Sequence, residues 1–195
     1  MKSLMKIVVV AIGLFSISAT AMVENKYALS KNYSVSIIGT SNLHGWNESV
    51  KTVTGSCNIS WNQDGSFDLE KLYMSMEVSS IKSTEGGIMD RNTYKALKAD
   101  NYPEIIFSLA SPVKAEASAN SISAKGFLTI AGVTKPITMQ VKIALQGQGN
   151  LTVEGAQTIK MTDYGITPPT ALFGTLKTGD VITINFKTSF TQTAN

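Results

Sequence analysis

Apolar and polar residues alternate along much of this chain, and this alternation limits the folds that the chain can adopt. Several segments place an apolar residue at every second position, which is the pattern of half-buried antiparallel strands. The clearest apolar sets are Tyr33, Val35 and Ile37; Leu72, Met74, Met76 and Val78; Ile137, Met139, Val141, Ile143 and Leu145; and Ile182, Ile184 and Phe186. Further strands are predicted at residues 104–110, 121–130 and 150–161. Many short strands joined by turns indicate an all-β sandwich or up-and-down barrel.

One segment departs from this pattern and predicts a short helix. Asp90 is placed to cap a helix that runs from Arg91 to about Ala99. Met89 before this cap and Tyr94 after it have the separation of a hydrophobic staple. A single short helix among many strands is expected to cover one end of a barrel.

The N-terminal residues read as a secretory signal. Lys2 and Lys6 precede an uncharged apolar run over residues 7–17, and residues 19–21 form an Ala-x-Ala cleavage site. The run is too short for a comfortable membrane span. We therefore expect a Sec-type signal peptide at residues 1–21 and a mature domain at residues 22–195. The mature protein is expected in the periplasm or outside the cell, without a transmembrane segment.

Composition excludes several functional classes. The 195-residue chain has one Cys and one His, which rules out a disulfide framework and multi-Cys or multi-His metal sites. Seventeen basic residues against fourteen acidic ones, without a basic run, argue against nucleic-acid binding. The single cysteine, Cys57, alternates in phase with apolar neighbours and is expected to be a buried core residue.

Enzymatic and metal chemistry have little support in the sequence. His44 is the only imidazole, and no motif ties it to a nucleophilic serine. Met74 and Met76 offer thioethers of the kind that bind Cu(I), but Leu72 and Val78 continue their face as a core stripe. Haem ligation through His44 is a further alternative, although the chain has no C-x-x-C-H motif. We expect no enzyme, no metal and no cofactor.

Four segments carry recognisable motifs: residues 39–46 (GTSNLHGW), residues 89–98 with 102–108 (MDRNTYKALK and YPEIIFS), residues 126–138 (GFLTIAGVTKPIT), and residues 160–166 with 180–190 (KMTDYGI and DVITINFKTSF). Together they resemble the YceI-like family of periplasmic polyisoprenoid-binding proteins. The third segment is the most specific, because a strand, a Gly-Val-Thr-Lys-Pro turn and a second strand recur there in the family. The His-x-Trp form of the first segment is similar to one subgroup of the family.

The resemblance implies an eight-stranded antiparallel lipocalin-like barrel that holds a polyisoprenoid, quinone or fatty acid in an apolar interior. The implied partner is this lipid, and a homodimer is left open. His44, Trp46 and Asp90 are expected near the barrel mouth. The predicted lining residues are Val35, Ile37, Met74, Met76, Phe107, Leu128, Ile130, Met139, Val141, Ile143, Phe173, Ile184 and Phe186.

Two departures from the family pattern concern the lipid head group. Met89 precedes Asp90 where many members have Arg, and the segment before Tyr164 lacks an arginine that many members carry there. A neutral quinone-like or fatty head is therefore expected as readily as an anionic pyrophosphate. The same apolar stripes would equally fill a solid core, so an alternative is a stress-response interaction protein with a filled barrel and no ligand.

Overall fold

The computed structural model describes residues 24–146 and 149–193, and the expected signal peptide lies outside these residues. Strands dominate the described chain, as the alternation predicts, and one α-helix interrupts them. The strands are β1 (Glu24–Leu29), β2 (Ser34–Ser41), β3 (Gly45–Val50), β4 (Val53–Trp61), β5 (Phe67–Glu77), β6 (Ile81–Ser83), β7 (Glu104–Leu109), β8 (Val113–Ala115), β9 (Ser121–Ile130), β10 (Val133–Gln146), β11 (Asn150–Lys160), β12 (Thr170–Ala171) and β13 (Leu176–Gln192). The helix α1 spans Gly87–Ala96.

Eight of these strands close an antiparallel barrel. Hydrogen bonding runs in the order β1, β4, β5, β7, β9, β10, β11, β13, and β13 pairs with β1 to complete the ring. This closure confirms the predicted eight-stranded barrel. The long strand β13 also pairs with β2 through residues 178–187, so β2, β3 and β6 extend the wall at one end.

The opposite end of the barrel is filled by large side chains. Tyr27, Phe67 and Phe190 are each 1% exposed there, and the indole N–H of Trp61 donates to the Tyr27 hydroxyl at 2.9 Å. Cys57, opposite Tyr27 on β4, is buried as predicted. Burial raises the pKa of this thiol to about 12. We call this region the closed end.

The helix begins earlier than its predicted start, and the predicted cap is wrong. Gly86, with a φ of +90°, precedes the helix in a conformation that side chains rarely adopt. Asp90 lies inside the first turns, where its carboxylate accepts the backbone N–H of Ser83 at 2.8 Å. The expected staple is wrong for the same reason, since Met89 is itself helical.

The helix lies across the open end of the barrel and is anchored on β6. The Tyr94 hydroxyl lies 2.7 and 2.8 Å from the carbonyl oxygens of Ser79 and Ile81, and it accepts a hydrogen bond from Lys82 Nζ at 2.6 Å. No residue of α1 is fully buried. The helix therefore covers the barrel end without filling it, and a cavity remains between the helix and the barrel strands.

Candidate ligand-binding site

Within the described residues, the barrel interior holds a cavity of about 360 Å³ and another of about 90 Å³. Ile184 on β13 borders both, so they adjoin within the barrel. The upper cavity is bordered by Ile37, Ile105, Ile130, Ile159, Met161, Ile182 and Ile184, with Ile88, Met89, Thr93 and Leu97 from α1 and the segment after it. The residues that border the lower cavity include Val35, Leu72, Met74, Met76, Phe107, Leu128, Met139, Val141, Ile184 and Phe186.

The chemistry of the two linings suits a hydrocarbon chain. Apart from Gln157 and Thr188, the described residues that border the lower cavity all have apolar side chains, and three of them are methionines. Methionine is flexible and polarisable and adapts to irregular apolar ligands. The upper cavity has a volume within the range of roughly 300–1,000 Å³ that is typical of small-molecule sites. The interior is therefore apolar at its depth and roomier beneath the helix.

Glycines in the barrel wall allow large side chains to lie flat against it. A Cβ atom added to Gly39 would lie 2.3 Å from the ring of Trp46, its cross-strand partner on β3. A Cβ atom on Gly155 would lie 2.8 Å from the ring of its partner Phe186. A Cβ atom on Gly55 would likewise lie 2.4 Å from its partner Met74 on β5. One on Gly126 would lie 2.3 Å from the ring of Phe107, two residues before its partner Leu109 on β7. Each large side chain thus occupies the space over a glycine and leaves more of the barrel interior open.

Alternate residues at the start of β3 bring polar groups to the upper cavity. His44, Trp46 and Glu48 all border it. The indole N–H of Trp46 donates to the carbonyl oxygen of Thr40 at 3.0 Å, which fixes the ring against the neighbouring strand. His44 is exposed at the rim, where its Nδ1 lies 2.7 Å from the carbonyl oxygen of Gly45. Since this contact is to the backbone, it provides no partner for a catalytic triad.

Glu48 is the most unusual of these groups. Its side chain is 2% exposed, and Oε1 accepts a hydrogen bond from the Thr93 hydroxyl of α1 at 2.6 Å. Burial raises the pKa of the Glu48 carboxyl, the Thr93 hydrogen bond opposes that rise, and the charge of Asp90 adds to it. Sequence reasoning missed this residue, although its position two residues after Trp46 was a signal that a charged group faces inward.

Lys82 and Asp90 form an ion pair beside the helix, and neither residue borders the cavity. Lys82 Nζ lies 3.4 Å from Oδ2 of Asp90. The backbone N–H of Ser83 and then Lys82 hold the pKa of Asp90 below its usual value, while the hydrogen bond to Tyr94 raises the pKa of Lys82. The described residues that border the upper cavity include Glu48 and Glu85 but no lysine or arginine. The cavity therefore presents acidic and neutral groups to a ligand.

The structure places most of the predicted lining residues around the two cavities. Ile37, Ile130 and Ile184 border the upper one, together with His44 and Trp46. Those that border the lower one are Val35, Met74, Met76, Phe107, Leu128, Met139, Val141, Ile184 and Phe186. Their contact with a lipid stays a prediction. Sequence reasoning did not include Ile105, Ile159 or the helix residues above the upper cavity, because their place depends on how α1 and the strands meet.

Two predicted lining positions, Phe173 and Ile143, are corrected by the structure. Phe173 is fully exposed, because it lies in a tight turn with a φ of +55° that directs the chain away from the interior. Asp90 lies on the helix over the mouth but does not border the cavity, since it is held by Ser83 and Lys82. Ile143 is buried in the core but borders neither cavity.

Comparison with protein-family models identifies the chain. The YceI-like domain matches residues 26–190. The chain belongs to the YceI-like family. No curated protein sequence matches it significantly.

Solved structures share the fold of this YceI-like protein. A polyisoprenoid-binding domain from Saccharophagus degradans, implicated in plant cell wall breakdown, is 11% identical with a TM-score of 0.64, over 86% of this chain and 98% of that chain. BcnA from Burkholderia cenocepacia is 20% identical with a TM-score of 0.62, over 82% and 96%. The Campylobacter jejuni YceI protein is 21% identical with a TM-score of 0.58, over 76% and 85%. At these identities the likeness concerns the fold.

The described residues include neither a membrane-spanning helix nor a cluster of metal-binding side chains. Within residues 24–146 and 149–193, no helix combines the length and apolar character needed to cross a membrane. The same residues contain no group of three or more His, Cys, Asp or Glu side chains arranged to hold a metal ion.

Proposed function

We propose that this protein is an exported lipid-binding protein that holds an isoprenoid-type or similar amphipathic lipid inside its barrel. The observation that carries the proposal is the pair of adjoining apolar cavities, kept open by side chains that lie flat over glycines. The polyisoprenoid-binding domain among the structural relatives supports this ligand class. A barrel filled throughout, as in the interaction-protein alternative, fits these cavities poorly.

The energetics support retention of a tail by apolar contact alone. Removing a methylene group from water gains about 0.8 kcal/mol. A five-carbon isoprene unit is then worth about 3–4 kcal/mol before the costs of ordering the ligand. A lining of isoleucine, methionine and phenylalanine can therefore retain a tail of a few units with few polar contacts. The proposed role is therefore that of a binding or carrier protein, without catalysis.

Native mass spectrometry of the gently purified protein, followed by organic extraction, tests the proposal. We expect a bound lipid that is recovered in the extract. A matched pair of variants on β9 locates it: Ala124 borders the lower cavity, whereas Ser123 is its exposed neighbour on the outer face. Ala124→Phe should reduce the recovered lipid, and Ser123→Phe should not. Absence of lipid from the wild type, or equal recovery from the two variants, contradicts the proposal.

The proposed location is tested separately. We propose that residues 1–21 are removed on export to the periplasm or the cell exterior, leaving the domain at residues 22–195. Fractionation of expressing cells, with N-terminal sequencing of the exported protein, should give a mature start at Met22. A full-length protein retained in the cytoplasm would contradict this.

A further inference from the structure

Glu48 is a carboxyl group set into the wall of an otherwise mostly apolar cavity. It lies opposite Ile37 of β2, and Ile37 and Ile105 border the same cavity. Burying an ionised carboxyl without a partner is costly, so such a group is normally paired with a cation or takes part in binding. A buried acid that faces a cavity is therefore a candidate recognition site.

The neighbourhood of Glu48 provides no cation. The ion pairs within the described part of the chain are Lys82–Asp90, Lys114–Glu116 and Lys187–Glu154, and none includes Glu48. Lys82 is engaged by Asp90 and by the Tyr94 hydroxyl. The hydroxyl of Thr93 is a neutral donor, and it occupies one carboxyl oxygen of Glu48. The carboxyl group keeps capacity to accept a further hydrogen bond from a ligand in the cavity.

This arrangement discriminates between lipid head groups by charge. An anionic head in the upper cavity would meet Glu48 and Glu85, and no lysine or arginine borders the cavity in the described residues. Juxtaposed like charges cost several kcal/mol where water is excluded. A hydroxyl group, in contrast, donates a hydrogen bond to the carboxyl and carries no charge to desolvate.

We propose that Glu48 is the head-group recognition residue of the barrel, and that it selects isoprenoid alcohols over the corresponding diphosphates. The inference rests on the proposed lipid-binding function and adds the class of head group to it. In this proposal Glu48 accepts a hydrogen bond from the head group in the upper cavity, while the lower cavity holds the lipid tail.

Three probes with one tail test the selection: geranylgeraniol, its acetate ester and its diphosphate. Their dissociation constants are measured on the full mature protein by isothermal titration calorimetry. We expect the wild type to bind the alcohol about tenfold or more tightly than the diphosphate. The acetate, which has no donor, should bind about fivefold more weakly than the alcohol, as expected for loss of one net hydrogen bond.

A charge-neutral variant and a matched control assign the effect to Glu48. Glu48→Gln keeps an oxygen that can accept from Thr93, so α1 retains its contact while the charge is lost. We expect the preference for the alcohol over the diphosphate to shrink about fivefold or more in this variant. Glu154→Gln removes a charge from the outer wall, where Glu154 pairs with Lys187, and should leave the preference unchanged.

The outcomes separate this inference from the function on which it rests. If the folded wild type binds none of the three probes, the lipid-binding function fails. If it binds all three equally, or the diphosphate as tightly as the alcohol, lipid binding stands and selection by Glu48 is wrong. An unchanged preference in a folded Glu48→Gln protein also overturns the inference. The wild-type comparison remains decisive should that variant fail to fold.

Discussion

The contact between Gly39 and Trp46 allows a quantitative test of the open-barrel architecture. Trp46 lies across Gly39 on the neighbouring strand and donates from Nε1 to the carbonyl oxygen of Thr40. In Gly39→Ala the new Cβ would lie 2.3, 2.6 and 3.0 Å from three ring atoms of Trp46. Because an indole ring cannot bend, it must turn away, and both the packing and the hydrogen bond are lost.

The expected cost follows from these two losses. Overpacking strain costs about 1–3 kcal/mol, and a net hydrogen bond contributes about 1 kcal/mol. Alanine also lowers the conformational entropy of the unfolded chain relative to glycine. This effect stabilises the folded protein by about 0.4–1 kcal/mol and offsets part of the cost. We expect Gly39→Ala to lower the free energy of unfolding by about 2 kcal/mol, which lowers Tm by about 4–8 °C in a domain of this size.

Thermal and urea unfolding, followed by circular dichroism, measure this effect against a close control. Gly45 lies on the adjacent strand, where an added Cβ would meet only the Gly39 carbonyl oxygen at an ordinary 3.6 Å. Gly45→Ala should change stability by about 0.5 kcal/mol or less in the destabilising direction. In a Trp46→Ala background, where the ring is absent, Gly39→Ala should also be nearly neutral, since the two residues couple directly.

Two results would contradict the predicted role of the Gly39–Trp46 contact. Equal unfolding free energies for Gly39→Ala and Gly45→Ala would mean that the ring does not depend on the space over Gly39. If Gly39→Ala lowers the free energy of unfolding just as much in the Trp46→Ala background, the destabilisation comes from the backbone of β2 and not from the ring.

Three further predictions concern other parts of the molecule. Gly155→Ala should push Phe186 into the lower cavity and weaken binding of geranylgeraniol about fivefold relative to the shorter farnesol, as measured by calorimetry; an equal effect on both alcohols would contradict this. The buried Cys57 thiol, with a pKa of about 12, should resist a thiol reagent at pH 8 in the native protein and react on unfolding in urea, and fast native labelling would contradict its burial. Hydrogen bonds from the Thr162 hydroxyl and N–H lower the pKa of Asp180, so its stabilising contribution is present above about pH 4 and is lost as the pH falls through the lowered pKa. Between about pH 4 and pH 2, the free energy of unfolding of the Asp180→Asn protein should therefore fall less steeply than that of the wild type. The same pH dependence in both proteins would argue against this role of Asp180.

Much of the barrel was predictable from local pattern. Ser121–Ile130 is a strand with the predicted limits, and its inward residues are those that the alternation selects, because strand period decides which side each residue faces. The lining positions on β2, β9 and β10 follow from the same rule. The helix start was not predictable in this way, because Gly86 and a tertiary contact of Asp90 determine it.

The candidate site was predictable in its apolar part and not in its polar part. Met74, Met139 and Phe186 border the lower cavity because their strands alternate, but Phe173 lies outside because a turn precedes β13. Glu48 escaped notice because a glutamate is ordinarily exposed. Its burial depends on α1, whose Thr93 lies 45 residues further along the chain and closes over it.

From the sequence it follows that this chain forms half-buried strands, that the apolar residues of the alternating strands face inward and that the single cysteine is buried. These properties depend on neighbours two residues apart, so a linear pattern is enough to specify them. Whether the inward residues fill the barrel or line a cavity depends instead on how the strands and the helix pack in three dimensions. That outcome depends on pairs such as Gly155 with Phe186, which are distant in sequence and meet through strand register. The same register and the covering helix place one carboxyl group, that of Glu48, in the wall of the upper cavity.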